Sequence, residues 1–233
     1  MNNDQRRTRR TRREDLASAS SAVSAFDVVK LPHAFYYDRP TLDVAGDLIG
    51  KVLVHARRGV RTSGIIVEVE AYIGESDPAC HAAPGPTRRN EPLYGAPGHA
   101  YVYLNYGIHC LVNVVTEAHG SPAAVLLRAL APLEGVGVMR RRRASQMKGR
   151  RRLDGATHGD DELCRGPGNL TMAMGITLAE NRVDLSGDRL FVEDRDIHAG
   201  PVVWGPRIGI KVGVERPWRA YVRDCAAVSK LQA

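Results

Sequence analysis

The stretch GIIVEVEAYI, residues 64–73, predicts a β-strand whose two faces differ in character. Because successive side chains of a strand point to opposite sides, one face is expected to be apolar and to carry Ile65, Val67, Val69, Ala71 and Ile73. The opposite face would carry Glu68, Glu70 and Tyr72, with Glu70 and Tyr72 roughly 7 Å apart. Such a face fits either a solvated sheet surface or the wall of a functional site, and the strand alone leaves both open.

Weaker signals place further elements around this strand. Apolar residues at helical spacing predict a helix over 40–49, which Gly50 would end. A second helix is expected to begin near Pro132, and a third to follow the turn at 166–168. Alternating and β-branched runs predict the remaining strands, at 51–56, 101–104, 108–116, 123–130, 189–193, 202–214 and 218–223.

Residues 101–116 predict a β-hairpin, since two β-rich runs are joined by the short connection Asn105-Tyr106-Gly107. Tyr106 would then occupy the tip of the hairpin, where there is no obvious core for it to enter. An aromatic side chain in that place is either a wedge that enters a partner or a ring packed on a neighbouring loop. The sequence leaves both interpretations open.

The formal net charge of +7 is concentrated in two segments. Residues 1–13 contain six arginines and one acid, and residues 140–152 contain eight basic residues and no acid. The rest of the chain is therefore mildly acidic, a distribution that suits a polyanionic partner. Residues 1–25 lack a core-forming pattern, so we expect a disordered, arginine-rich tail before a single folded domain over residues 26–233.

The motifs that the sequence lacks disfavour several classes of protein. Its four cysteines are scattered without a CxxC pair, which indicates reduced thiols rather than disulfides or a zinc site. No apolar run approaches the ~18 residues of a membrane span, and no secretory signal is recognisable, so we expect a cytoplasmic protein without a membrane partner. The nucleotide-binding, zinc-deaminase and serine-hydrolase motifs (GxxxxGK[ST], GxGxxG, HxE with PCxxC, GxSxG) are absent.

The remaining inventory suits the extraction of a nucleobase from a duplex and attack on its sugar: an acid on a strand, several Tyr and His side chains, an aromatic hairpin tip and many arginines. Six segments, in order, resemble the alkyladenine (3-methyladenine) DNA glycosylase family over about residues 27–230. They are VEVEAYIG (67–74) with Asp77 and His81, RN (89–90), YVYLNYG (101–107) with Asn113, VLLRAL (125–130), LCRGPG (163–168) and WRAYVR (218–223).

Together with the hairpin signal, this resemblance implies a mixed α/β (α+β) single domain. Its core would be a curved, largely antiparallel sheet with flanking helices and a protruding β-hairpin that inserts into DNA. The implied partner is double-stranded DNA containing damaged purines. The implied reaction is hydrolysis of the N-glycosidic bond of a flipped, alkylated purine, which leaves an abasic site; nucleoid association would follow in a bacterium.

The resemblance assigns Glu70 as the general base that deprotonates the attacking water. Glu68 is expected on the same face, but the spacing between Glu70 and Tyr72 matches the family motif. Tyr72, His81 and Tyr103 would enclose the flipped base. A cationic alkylated base stacked between such electron-rich rings would gain roughly 0.5–2 kcal/mol over a neutral base.

The same resemblance assigns further residues to the DNA. Asn113 would line the pocket floor and disfavour the 2-amino group of guanine, and Tyr106 would be the wedge that fills the vacated stack. Contacts with the DNA backbone are expected from Arg128, Arg89, Gly166 and Gly168. No lysine lies within the matching segments, so we expect a monofunctional glycosylase. No metal or other cofactor is implied, and a monomer is expected.

Two departures from the family pattern leave details open. Asn169 follows the turn at 166–168 where the family usually has lysine, which puts one phosphate contact in doubt. The loop at 81–89 is rich in proline. One competing hypothesis is a non-catalytic nucleic-acid-binding protein that uses the same basic and aromatic surface. Another is a related enzyme that acts on deaminated or etheno-purines.

Overall fold

The computed structural model describes residues 28–37, 39–146 and 159–229. Its strands are β1 Val29–Lys30, β2 Val52–Arg57, β3 Val60–Ile73, β4 Ala100–Asn105, β5 His109–Val115, β6 Ala123–Glu134, β7 Leu190–Asp194, β8 Val202–Gly205 and β9 Arg219–Val222. Its α-helices are α1 Thr41–Leu48, α2 Val136–Gln146, α3 Asp160–Leu163 and α4 Pro167–Met174. Short 3₁₀ turns lie at His33–Phe35, Glu91–Tyr94 and Leu178–Glu180.

The nine strands form one sheet in which all the pairs described are antiparallel. The main strand order is β1-β7-β2-β3-β6-β5-β4, while β9 pairs with β3 and with β8. The predicted mixed α/β single domain with a largely antiparallel sheet and flanking helices is therefore confirmed. In the described ranges, no helix has the length and apolar character needed to cross a membrane.

β3 is the centre of this sheet. It pairs with β6 along one edge and with β2 and then β9 along the other. Residues 62–71 of this strand are all buried, because the sheet is covered on both faces here. Glu68 and Glu70 therefore have no exposed surface, and the alternative of a solvated sheet face is wrong.

Two compensating bulges interrupt the pairing of β3 with β6 near its middle, and a third irregularity lies between Ser63 and Gly64. Val67 is an extra residue on β3 and Arg128 is an extra residue on β6, between the pairs Ile66–Leu130 and Val69–Leu127. An extra residue reverses the direction of the side chains that follow it. As a result, Val67 packs in one apolar cluster, whereas Val69 packs with Ile66 in another. The predicted single apolar face of residues 65–73 is therefore wrong.

The helices cover the sheet face on which Val69 and Ala71 lie. α1 contributes buried apolar side chains from 44–48, and α4 contributes them from 170–174. Full burial of such side chains stabilises a fold by about 1.5–3 kcal/mol each. The neighbouring strand positions point to the opposite face, which is free of these helices.

Two other sequence expectations are corrected. The second helix does not begin near Pro132, because β6 continues to Glu134 and α2 begins only at Val136. The strand predicted at 202–214 ends at Gly205, where Pro206 follows and a loop replaces the strand. The predicted tail at 1–25 and the end of the basic segment, 147–152, lie outside the described residues.

Gly135 joins β6 to α2 and provides a test of this local geometry. Its φ is +72°, and an added Cβ would lie 2.5 Å from the backbone oxygen of Arg61. We expect Gly135→Ala to destabilise the protein by about 1–3 kcal/mol through backbone strain, with a further cost from the clash.

Gly59→Ala is the matched control, because its φ is +73° but its Cβ would meet nothing within 4 Å. The urea concentrations at the midpoint of unfolding, measured for both variants and the parent, give the two losses of stability. Equal losses of stability would contradict the close approach at Gly135.

Candidate active site

One row of paired residues crosses the sheet on the face opposite to α1 and α4. In register, Tyr101 on β4 pairs with Asn113 on β5, Asn113 with Leu126 on β6, and Leu126 with Glu70 on β3. Directly opposite residues share a face and adjacent strands lie about 4.8 Å apart. The register therefore brings Glu70 and Asn113 to one surface, although 42 residues intervene in the chain.

Glu70 is buried and has three polar neighbours. Its Oε2 accepts a hydrogen bond of 2.8 Å from the Tyr72 hydroxyl, and its Oε1 accepts one of 2.7 Å from the backbone N–H of Ile208. The Arg128 Nη1 lies 3.2 Å from Oε2. Burial and the Glu70 carboxylate raise the pKa of Tyr72. The phenol therefore remains a hydrogen-bond donor to the carboxylate at neutral pH.

Glu68 is held differently, entirely by interior groups. Its Oε1 accepts hydrogen bonds from the Nε of Arg128 at 2.9 Å and of Arg219 at 2.7 Å, and its Oε2 accepts one from Ser229 N–H at 2.8 Å. Burial alone would raise the pKa of Glu68, but Arg128, Ser229 and Arg219 lower it below its ordinary value. Glu68 is therefore a counter-ion for two arginines.

Arg128 occupies the bulge of β6, which aims its guanidinium at both carboxylates. Burial alone would lower the pKa of Arg128, but Glu70 and Glu68 raise it, so the group stays charged. The contacts that Arg128 makes with Glu68 and Glu70 lie inside the protein. Its contact with DNA stays a prediction.

An aromatic cluster lies beside Glu70 and Tyr72 on the same sheet face. The His81 and Tyr103 rings are 4.4 Å apart and nearly edge to face, and Tyr101 is 5.3 Å from Tyr103. His81 Nδ1 lies 2.9 Å from the Tyr101 hydroxyl oxygen. Burial and Arg89 lower the pKa of His81, so this ring is neutral at neutral pH.

Asn113 is buried next to this cluster, opposite Tyr101 in the pairing of β4 with β5. Its Nδ2 donates a hydrogen bond of 3.0 Å to the backbone oxygen of Tyr101. That contact ties the carboxamide of Asn113 to β4. Tyr101 itself was missed by the sequence interpretation, although its alternation with Tyr103 in the YVY run places both rings on one face.

Tyr106 lies in the turn of the β4–β5 hairpin and is 88% exposed. Tyr106 and Gly107 have φ values of +49° and +71°, and Ile108 N–H donates a hydrogen bond of 3.0 Å to the Asn105 oxygen. Two successive positive φ values define the tight type I′ turn, whose twist matches that of the strands. Because its side chain is so exposed, the Tyr106 ring is not packed on a neighbouring loop.

The remaining residues predicted to contact DNA lie beside the hairpin or at the start of α4. Arg89 is exposed, and its Nη2 donates a hydrogen bond of 3.4 Å to the Leu104 oxygen in the hairpin. Gly168, at the start of α4, approaches His109 at the other strand of the hairpin so closely that a Cβ would lie 2.9 Å from the imidazole Cγ. Gly166 precedes α4 with a φ of +87°.

Asn169 also makes contacts within the protein. Its Nδ2 donates a hydrogen bond of 2.7 Å to the Arg165 oxygen, and its Oδ1 accepts one from Arg143 on α2. An arginine side chain is thus in direct contact with the position at which the family pattern usually has lysine.

The structure therefore brings Glu70, Tyr72, His81, Tyr103, Asn113 and Arg128 together on one face. Tyr106, Arg89 and Gly168 lie at or beside the hairpin, and Gly166 lies at the start of α4. Sequence reasoning missed Ile208, because its contribution is a backbone N–H, which does not depend on the residue type. It also missed Arg219, although this residue lies in the WRAYVR segment.

Comparison with known proteins identifies the family of this chain. The sequence model of the family described as "Methylpurine-DNA glycosylase (MPG)" matches residues 35–226. The chain belongs to this family. As a member of the methylpurine-DNA glycosylases it is a monofunctional hydrolase of base excision repair, which disfavours the non-catalytic alternative.

Three relatives of this glycosylase carry the name "Putative 3-methyladenine DNA glycosylase". The one from Methanocella arvoryzae is 47% identical over 208 residues, which cover 86% of this chain and 96% of the relative. The one from Chlorobium phaeobacteroides is 44% identical over 200 residues, covering 85% and 94%. The one from Rhodopseudomonas palustris strain BisB5 is 45% identical over 197 residues, covering 84% and 88%.

The lowered pKa of Glu68 predicts how the stability of the glycosylase depends on pH. A carboxyl with a folded-state pKa below its ordinary 4.5 contributes stability that is complete above that pH and is lost as pH falls through the folded-state value. Removing one partner of a buried ion pair costs roughly 3–5 kcal/mol. We therefore expect Glu68→Gln to lose about that much at pH 7.

Urea midpoints of the parent and of Glu68→Gln, measured from pH 7 to pH 3, test this expectation. The gap between the two proteins should close as the pH falls below 4.5. Glu91→Gln, at an exposed pair with Arg182, is the control and should change the midpoint little. A gap of constant size over the whole range would contradict the assignment.

Proposed function

We propose that this glycosylase extracts damaged purines from duplex DNA and hydrolyses their N-glycosidic bond, leaving an abasic site. Alkylated purines are its main substrates, and deaminated and etheno-purines are further substrates. The observation that supports this most is the buried carboxylate of Glu70, oriented by three donors beside a cluster of aromatic rings. We further propose that it acts as a monomer in the cytoplasm, on the chromosome.

Glu70 would act as the general base. A water adds to C1′ of the flipped nucleotide while the base departs with the electron pair of the N-glycosidic bond, and Glu70 accepts a proton from that water. The developing positive charge on the sugar resembles an oxocarbenium ion, which an anionic carboxylate stabilises. The donors from Tyr72, Ile208 and Arg128 hold the carboxylate in one orientation.

The aromatic cluster would receive the flipped base. Tyr72, His81 and Tyr103 offer ring surfaces near Glu70, and such stacking holds an extruded base in a pocket. Asn113 would select against the 2-amino group of guanine from the same face. A neutral His81 suits this role, because an imidazolium would repel an alkylated base that carries positive charge.

The hairpin and its surroundings would contact the duplex. The exposed ring of Tyr106 has the size and position of a wedge that fills the vacated stack. Arg89 and Gly168 lie beside the hairpin and Gly166 lies at the start of α4. All three would meet the backbone phosphates of the bent DNA. Arg128 would contact the phosphate of the flipped nucleotide while it also holds Glu68 and Glu70.

Base release from three duplexes tests the substrate range. Purified protein is incubated with duplexes containing 3-methyladenine, hypoxanthine or 1,N6-ethenoadenine, and the abasic product is quantified after alkaline cleavage. Release of all three bases is expected, with 3-methyladenine released fastest because this base is cationic in the nucleotide and leaves as a neutral molecule when it takes the electron pair of the N-glycosidic bond. Binding to all three duplexes without release of any base would support the non-catalytic alternative instead.

We expect Glu70→Gln to bind a hypoxanthine duplex normally and to lose excision by about 10²–10⁴-fold, the usual contribution of a general base. The amide is nearly isosteric but cannot accept the proton of the water. Single-turnover kinetics on hypoxanthine measure the effect, because cationic bases depart with less assistance.

Glu75→Gln is the matched control, since this carboxylate lies just beyond β3 and accepts a hydrogen bond from the Tyr94 hydroxyl on the surface. It should excise at the parental rate. Excision of hypoxanthine by Glu70→Gln at close to the parental rate would mean that another group is the base.

Tyr106→Ser tests the wedge. Opening the stack costs a few kcal/mol, and an aromatic ring in the gap recovers around 1–3 kcal/mol. Its loss should lower the flipped population and slow single-turnover excision about 10–100-fold, with an unchanged melting temperature because the side chain is exposed.

Tyr37→Ser, at another exposed tyrosine, should change neither quantity. If Tyr106→Ser melts like the parent and excises like the parent, the hairpin ring is not the wedge.

A further inference from the structure

A buried ion pair next to the site has no part in the chemistry described so far. Arg207 and Asp77 both have side chains without exposed surface. The guanidinium donates two hydrogen bonds to the carboxylate, Nη1 to Oδ2 at 2.6 Å and Nη2 to Oδ1 at 2.8 Å. Such bidentate pairs are among the strongest and most directional in proteins.

The same guanidinium ties three segments together. Nη1 also donates to the backbone oxygen of Ala71 at 3.1 Å, and Nη2 donates to that of Gly213 at 3.2 Å. Ala71 lies on β3 between Glu70 and Tyr72, Asp77 lies in the turn after β3, and Gly213 lies in the loop before β9. Arg207 therefore fixes this loop against the strand that carries the general base.

The residue after Arg207 makes the contact with Glu70. Ile208 N–H donates the hydrogen bond of 2.7 Å to Glu70 Oε1. Because the peptide unit between the two residues is rigid and planar, the position of Arg207 sets the position of that N–H. A displaced loop would free one carboxylate oxygen and let the group rotate.

Arg207 also stacks on one face of the Tyr72 ring. Its guanidinium carbon lies 4.7 Å from the centre of that ring and 5.2 Å from the centre of the Trp218 ring. One face of Tyr72 is thus covered by a cation held in place by Asp77. The ring can offer only its other face to a ligand, and it keeps its hydroxyl on Glu70 Oε2.

We infer that Arg207, anchored by Asp77, is a positioning residue of the excision reaction: it orients the Glu70 carboxylate through Ile208 N–H and the pocket ring of Tyr72 through direct stacking. This inference rests on the proposed function. Displacement of a reacting group by about 1 Å can cost 10²-fold in rate, so the pair should affect the chemical step rather than the binding of the duplex.

Arg207→Lys is the primary test, because it keeps the positive charge beside Asp77 but removes the bidentate geometry. We expect single-turnover excision of hypoxanthine to fall about 10–100-fold with an unchanged Kd for the duplex. Amide hydrogen exchange in peptides that cover residues 206–213, measured by mass spectrometry, should become faster.

Arg195→Lys is the matched control. Arg195 also has a largely buried side chain that gives two hydrogen bonds to a carboxylate, that of Glu193, but it lies just beyond β7, which is not part of the site. It should lose comparable thermal stability and excise at the parental rate at a temperature where both variants are folded.

Gly213→Ala disturbs the same pair without a change of charge. Gly213 has a φ of +64°, and its Cβ would lie 3.0 Å from Arg207 Nη2 and 3.3 Å from Asp77 Oδ1. Gly213→Ala should slow excision, as Arg207→Lys does. Gly59→Ala, which introduces similar backbone strain elsewhere, should leave the rate of excision unchanged.

The outcomes separate this inference from the proposed function. A parent protein that releases no damaged base overturns both. If the parent is active, three results for Arg207→Lys would each overturn the positioning role alone. They are excision at the parental rate, unchanged hydrogen exchange at residues 206–213, and a loss of excision that only matches the loss of duplex binding.

Discussion

The burial of one guanidinium, that of Arg128, is the constraint on which the site depends. A charge removed from water is stable only when it is paired and hydrogen-bonded, and Arg128 finds both partners on β3. Glu68 in turn takes a second cation, Arg219. Two arginines and two glutamates therefore balance in the interior, so that the Glu70 carboxylate can be buried and oriented beside the aromatic cluster without an unpaired charge opposing folding.

The paired bulges are what make this balance geometrically possible. In a regular ladder, Arg128 would share one face with both Leu126 and Leu130, and the two glutamates would meet different surroundings. The extra residues at Val67 and Arg128 re-aim the side chains at the centre of the sheet. Polar groups thus converge on one face, while other positions of the same two strands still pack under the helices.

Much of this could be predicted from the sequence, because strand periodicity and turn composition are local properties. The strand containing Glu70 and the hairpin with Tyr106 at its turn were accessible in this way, and the family resemblance added the largely antiparallel sheet. The bulge was not, since the alternation in VEVEAY is regular and a bulge depends on the register of two strands. Nor was Ile208, because a backbone N–H is the same in every residue type other than proline.

The last described part of the chain supplies three of the groups that hydrogen-bond to Glu68 and Glu70, and this affects the order in which the protein folds. Ile208, Arg219 and Ser229 reach the two glutamates across sequence separations of 138, 151 and 161 residues. Contacts of such range form late, because the closure of long loops must precede them. During synthesis, a nascent chain can build most of the sheet while Glu68 and Glu70 still lack these partners, so the proposed active site is complete only once residues 208–229 have left the ribosome.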